Sequence, residues 1–152
     1  MRRAFTLIEL MIVLVILGLL AAIVIPSMKD ISGEVRQTSF INSGQIFAAA
    51  AKRYELDRGE YPNASAGVLP DGFGEYIQSM KWESGTPIGG QWQARAPVGG
   101  VSAAIGVRYL GADPDNDAAA MQAIDEIVDD GDLTTGSFRR FGAQRYFFVV
   151  AE

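Results

Sequence analysis

The 152-residue chain has no cysteine and no histidine. Disulfides, thiolate nucleophiles, Cys/His zinc sites and imidazole-based acid–base arrangements are excluded together. Basic residues are few: 13 Lys plus Arg stand against 18 Asp plus Glu, for a net charge of −5. Such a chain has no broad electrostatic footprint for DNA or RNA, and no nucleic-acid partner is expected. There is no phosphate-binding loop, no internal repeat and no low-complexity tract. The length corresponds to about one domain. Hydrophobic residues make up 49% of the chain and are unevenly spread.

The apolar residues concentrate near the N-terminus. Residues 10–28, LMIVLVILGLLAAIVIPSM, form a run of 19 without a formal charge. As a helix it would be about 28 Å long at roughly 1.5 Å per residue, close to the hydrocarbon thickness of a bilayer. Extending it back to Phe5 adds one charge, Glu9. Arg2 and Arg3 precede the run and Lys29 follows it, a pattern that places the N-terminus on the cytoplasmic side. A secretory signal peptide fits less well, since its apolar core would be shorter and followed by a small-x-small cut site. A plain membrane anchor accounts for the hydrophobicity but leaves Glu9 unexplained, because a carboxylate in hydrocarbon costs a few kcal/mol.

Arg2-Arg3-Ala4 followed by Phe5-Thr6-Leu7-Ile8-Glu9-Leu10 resembles the prepilin signal of the type IV pilin and type II secretion pseudopilin superfamily. The resemblance continues through Gly18 and Pro26, and it covers about the first 30 residues. Ala4 departs from the glycine usual before the cut, and is the nearest substitute in size. The resemblance implies cleavage between Ala4 and Phe5 by prepilin peptidase, N-methylation of the Phe5 amine, and pairing of Glu9 with that ammonium on a neighbouring subunit. Opposite charges attract strongly in a low dielectric, and neither is tolerable there alone. Loss of Arg2 and Arg3 leaves 11 basic residues against 18 acidic ones, a side-chain charge of −7.

The expected organisation is a leader at 1–4, a transmembrane or filament-core half-helix at 5–28, an amphipathic half-helix at 29–58 and a globular head at 59–152. Pro26 is expected to kink the helix without ending it. Phe40, Phe47 and Tyr54 recur every seven residues with Ala50 and Ala51 beside them, and Ile31 with Val35 forms an earlier pair. That stripe would pack on a sheet. Gly33 and Gly44 lower local helicity. The helix should stop near Arg58, capped by Gly59. The stretch Asp57-x-Gly59-x-Tyr61-Pro62 is also similar to one that follows the helix in many pseudopilins. A short helix is expected at Phe73–Met80, and strands at Gln91–Ala96, Val101–Leu110 and Gln144–Val150, the first two antiparallel. The fold class is α+β and pilin-like: one long N-terminal helix, half transmembrane and half packed on a small antiparallel β-sheet.

Residues 113–132 hold eight carboxylates and no basic residue. A helix from an Asp117 N-cap to about Asp129 would turn Met121, Ile124 and Val128 inward. Asp129 and Asp130 would then lie at its C-terminus, where the helix dipole disfavours anions. Arg139 and Arg140 could compensate, or the face could simply be solvated. The other candidate is calcium on Asp129, Asp130 and Asp132, since hard cations take clustered oxygen ligands. An EF-hand is excluded, because the stretch from Asp113 lacks the loop glycine and has Ile124 where the bidentate Glu belongs.

No catalytic constellation is recognisable, and no enzymatic activity is expected. The resemblance implies a structural subunit of a type IV pilus-like filament or a type II secretion pseudopilus. Its partners would be copies of itself, other pilin-like subunits, prepilin peptidase, an inner-membrane assembly platform and the lipid bilayer. It would span the inner membrane once and then enter a periplasmic or extracellular filament. The lack of a C-terminal disulfide tilts the reading toward the pseudopilus. The alternative is a membrane-anchored periplasmic binding module that does not polymerise.

Overall fold

The computed structural model describes residues 7–109 and 118–152, without the side chains of residues 21–32, 79 and 80. The fold is α+β and pilin-like. Helix α1 runs Leu7–Arg58 and continues through Pro26. It stops where Gly59 adopts a left-handed φ of 77°, with the Gly59 amide donating to the Glu55 carbonyl at 2.7 Å. Glycine takes that conformation without a Cβ penalty and satisfies an otherwise orphan carbonyl. The chain divides into two units, Met1–Arg36 and Gln37–Glu152.

In the first unit, the apolar side chains from Leu7 to Leu20 stand 47–77% exposed. Val35 is also exposed, so the expected Ile31–Val35 pair does not extend the packed stripe, and Ile31 lies outside the described side chains. Among the described residues no helix is long and apolar enough to cross a membrane.

The second unit holds the core. Phe40, Phe47 and Tyr54 fall on one side of α1 because seven residues come close to two helical turns. All three are buried, together with Ala50 and Ala51. They meet a four-stranded antiparallel sheet ordered β1-β2-β4-β3, formed by β1 Gln91–Arg95, β2 Ala103–Arg108, β3 Phe138–Arg140 and β4 Arg145–Ala151. Phe40 stacks on Trp92 with centroids 5.3 Å apart, and Phe47 meets the same indole edge-on at 4.8 Å. Each such ring contributes about 1.5–3 kcal/mol on burial. Gly44 lets helix and sheet approach closely, since a Cβ there would overlap the Phe148 ring. The missing Cβ that lowers its helix propensity is the condition for that packing.

Helix α2 (Ser79–Glu83) carries Trp82, whose Nε1 donates to the Val68 carbonyl at 3.0 Å. The expected helix over Phe73–Met80 is instead a 3₁₀ turn at Phe73–Glu75 followed by α2. Gly74, a poor helix former, lies in that turn. This turn clamps the end of α1: the Tyr76 hydroxyl donates to Asp57 at 2.9 Å, and Arg58 reaches Glu75 at 3.5 Å. Helix α3 spans Ala118–Val128 and turns Met121 and Ile124 into the same core.

Three strands match the expected segments closely, and β1 pairs antiparallel with β2. Strand β3 was not anticipated. It is three residues long, too short to show a period, and it exists by pairing with β4. The outer face of the sheet carries Arg108 opposite Arg145, Gly106 opposite Phe147 and Ala104 opposite Val149. A second small cluster of Val101, Ala104 and Phe147, joined by Val98, Phe141 and Val149, covers part of this face.

Candidate functional site

Two places hold residues singled out in the sequence. At the N-terminus, Glu9 sits in the first turn of α1 among exposed apolar side chains. Gly18 lies on the same helix, with nothing within 4 Å of where a Cβ would be. Ala4 and Phe5 lie outside the described residues, and Pro26 lies outside the described side chains.

The second place is the C-terminal end of α3. Asp125, Asp129 and Asp130 each offer a carboxylate oxygen, and the three oxygens lie within 4.8 Å of one another. Calcium–oxygen distances of about 2.3–2.6 Å fit a common ion between oxygens so spaced. Asp125 is 0% exposed, and among the described residues neither of its oxygens has a hydrogen-bond partner. Burial pushes its carboxyl above the ordinary carboxylate range, and the nearby charges of Asp130, Asp129 and Asp132 push it further. The Gly131 amide approaches outside normal hydrogen-bond geometry and offsets part of this rise. A buried orphan carboxylate facing two others, all hard oxygen donors, suits a divalent cation.

The neighbouring loop is organised by the same acidic residues. The Asp130 carboxylate accepts from the Asp132 amide at 2.9 Å and the Thr135 hydroxyl at 3.1 Å. Asp129 accepts from the Ser137 amide. Asp132 accepts from the Thr134 hydroxyl at 2.7 Å and its amide at 3.0 Å, and these bonds hold its carboxyl below the ordinary range. Asp132 is not one of the three whose oxygens converge. The stretch from Asp113 to Asp117, with the expected N-cap, lies outside the described residues.

Arg139 and Arg140 do not neutralise this cluster. Arg139 pairs with Glu152 at 2.6 Å and also donates to the Gly136 carbonyl. Arg140 donates to the Gly142 carbonyl and lies over the Tyr146 ring. Asp125 is the site residue that sequence reasoning missed. Its signal was present: position 125 falls one turn after Met121 and one turn before Asp129, inside the apolar stripe of α3.

The family model for the prokaryotic N-terminal methylation motif matches residues 1–25. The chain carries a prepilin-type N-terminus. It is 38% identical over 89 residues to a fimbrial protein of Neisseria meningitidis serogroup A, covering 56% of this chain and 52% of that protein. Against the type IV major pilin protein PilE1 of Neisseria gonorrhoeae it is 37% identical over 90 residues, with 56% and 50% covered. Core protein G of the type II secretion system of Pseudomonas aeruginosa is 39% identical over 67 residues, with 44% and 47% covered. The chain thus spans about half the length of the curated relatives it matches. No solved structure matches it significantly. Pilins and a pseudopilin both appear among the relatives, so similarity alone does not separate the two.

Proposed function

We propose that this chain is a structural subunit of a type IV pilus-like filament or type II secretion pseudopilus. The observation that carries the reading is the exposed apolar surface of α1 from Leu7 to Leu20. A helix apolar on all sides requires either lipid or other apolar helices around it. Membrane insertion followed by transfer into a filament core meets that need twice, at little hydrophobic cost. Prepilin peptidase would cut after Ala4, and the methylated Phe5 amine of one subunit would neutralise Glu9 of the next. Assembly on the inner-membrane platform would draw its energy from a separate motor, since the chain has no phosphate-binding loop.

A divalent cation, calcium by its preference for oxygen ligands, would bind between Asp125, Asp129 and Asp130 and pin the end of α3 to the loop reaching Ser137. It would act structurally and supply no catalytic step.

The test is expression with and without a prepilin peptidase, followed by intact mass and electron microscopy. The reading expects a chain starting at methylated Phe5 and thin filaments only when the peptidase is present. An uncut chain in the membrane, with no filaments in either host, favours the non-polymerising anchored module.

A further inference from the structure

We propose that the arginine-bearing outer face of the sheet is the docking surface for the acidic end of α3 on a second copy of this chain. The inference rests on the polymer reading above and names the contact between heads within it. Arg108 and Arg145 stand directly opposite each other on β2 and β4. Arg95 lies on the same face, at the far end of β1 from Gln91, which pairs with Arg108. Among the described residues none of the three arginines has an ion-pair partner, whereas Arg58 pairs with Glu75 and Arg139 with Glu152. Like charges directly opposite across a strand pair oppose folding. In a chain of net charge −5, gathering unpaired arginines on one face calls for an anionic partner.

That partner is present on every copy. Ile127 stands 64% exposed on α3, and Glu126 and Asp132 are exposed beside it. Glu126 is held against the turn leading to Asp132, since a Cβ on Gly131 would lie 2.8 Å from Glu126 Cγ. Both carboxylates lie outside the Asp125, Asp129 and Asp130 group, so cation binding leaves them charged. One chain cannot satisfy its own arginines this way. Met121 and Ile124 bind α3 into the inner core, with Trp92, Ile105 and Phe148, whereas Arg108 and Arg145 project from the opposite face of the sheet. A contact between two different patches on opposite faces is heterologous, so it does not close a twofold dimer and is compatible with an open helical polymer. Ile127 would enter the contact beside the half-buried Val149 and Phe141, ringed by the opposite charges.

The experiment uses the full chain in a filament-forming host, with filaments counted by electron microscopy. Arg108→Glu with Arg145→Glu is one reversal, and Glu126→Arg with Asp132→Arg is the other. Each should lower filament number by about tenfold or more, because like-charge juxtaposition strongly disfavours an interface. Joining both reversals in one chain should restore filaments. Near-ultraviolet circular dichroism of Trp82 and Trp92 checks that each head is folded. As an independent measurement, Val149→Cys with Ile127→Cys, in a chain without native cysteine, should give an oxidised ladder of cross-linked subunits in filaments. Unchanged filament numbers in both reversals overturn the contact, as does loss without rescue by the combination together with an absent ladder. No filaments from the unmodified chain overturns the polymer reading itself, a different result from wild-type filaments that ignore the reversals.

Discussion

Replacing Asp125 with Asn should stabilise the metal-free protein and abolish its response to calcium. Asp125 is 0% exposed with neither oxygen hydrogen-bonded among the described residues, so ionisation there is opposed by burial first and by its acidic neighbours second. A charge 4.8 Å from another is repelled by about 3 kcal/mol at an effective dielectric near 20 and by about 1 kcal/mol in water. Asp129 and Asp130 are exposed, so the lower figure applies to each. Asn keeps the shape, removes the charge and can donate to the facing carboxylates. Leaving a buried acceptor unsatisfied costs about 1–3 kcal/mol, and the variant should recover a similar amount. At pH 7 with chelator its Tm should rise by several degrees.

The pH dependence follows from the direction of the shift. The folded state holds the Asp125 proton more tightly than the unfolded chain does. Stability therefore falls as pH climbs from the unfolded carboxylate value, about 3.9, through the higher folded one. The advantage of Asn should be absent below that window and complete above it. Calcium in the proposed site should reverse the order, because it would need the carboxylate ionised and would bind only the folded state. At one hundred times its dissociation constant it adds about 2.7 kcal/mol to the wild type and little to the variant. The assay is thermal unfolding of the full chain in detergent, followed by tryptophan circular dichroism across pH, with calcium and with chelator. An Asn variant that melts lower than wild type in chelator at pH 7, or gains equally from calcium, would refute the reasoning.

Gly44→Ala gains about 1 kcal/mol of helix propensity but drives a methyl into the Phe148 ring, which Phe40 and Phe138 hold at 5.5 and 4.8 Å; net destabilisation of about 1–2 kcal/mol is expected by denaturant titration. Phe47→Ala should cost about 3–5 kcal/mol in the same measurement, since the ring is 2% exposed against Trp92 and Trp82. Glu9→Val should enter membranes at least as well as wild type, judged by fractionation, yet yield few filaments by microscopy. Abundant Glu9→Val filaments would mean the carboxylate does not set subunit register.

The N-terminal signal and the packed stripe were legible because they are local. Arg2-Arg3-Ala4 before Phe5-Thr6-Leu7-Ile8-Glu9 is a contiguous string, and Phe40, Phe47 and Tyr54 declare their shared side through the helical period alone. Strands β1, β2 and β4 were readable from alternation and β-forming residues. Strand β3 was not, because Phe138–Arg140 has no pattern of its own and takes strand form from β4. The acidic site was half legible. Asp129 and Asp130 were readable from their place at a helix end, but Asp132 was grouped with them by adjacency, and Asp125 was overlooked.

The amino-acid order by itself determined the class of this protein: an apolar helix with an N-terminal methylation motif, an amphipathic continuation and a small antiparallel sheet. Those features depend on residues within a turn or two of each other, where propensity and periodicity act directly. Tertiary structure alone decided which acids converge, that Arg139 serves Glu152 instead of the acidic cluster, and that Arg108 faces Arg145. Each of those depends on strand register and on how α3 seats against the core, and a slip of one residue would send every side chain of the strand to the other face.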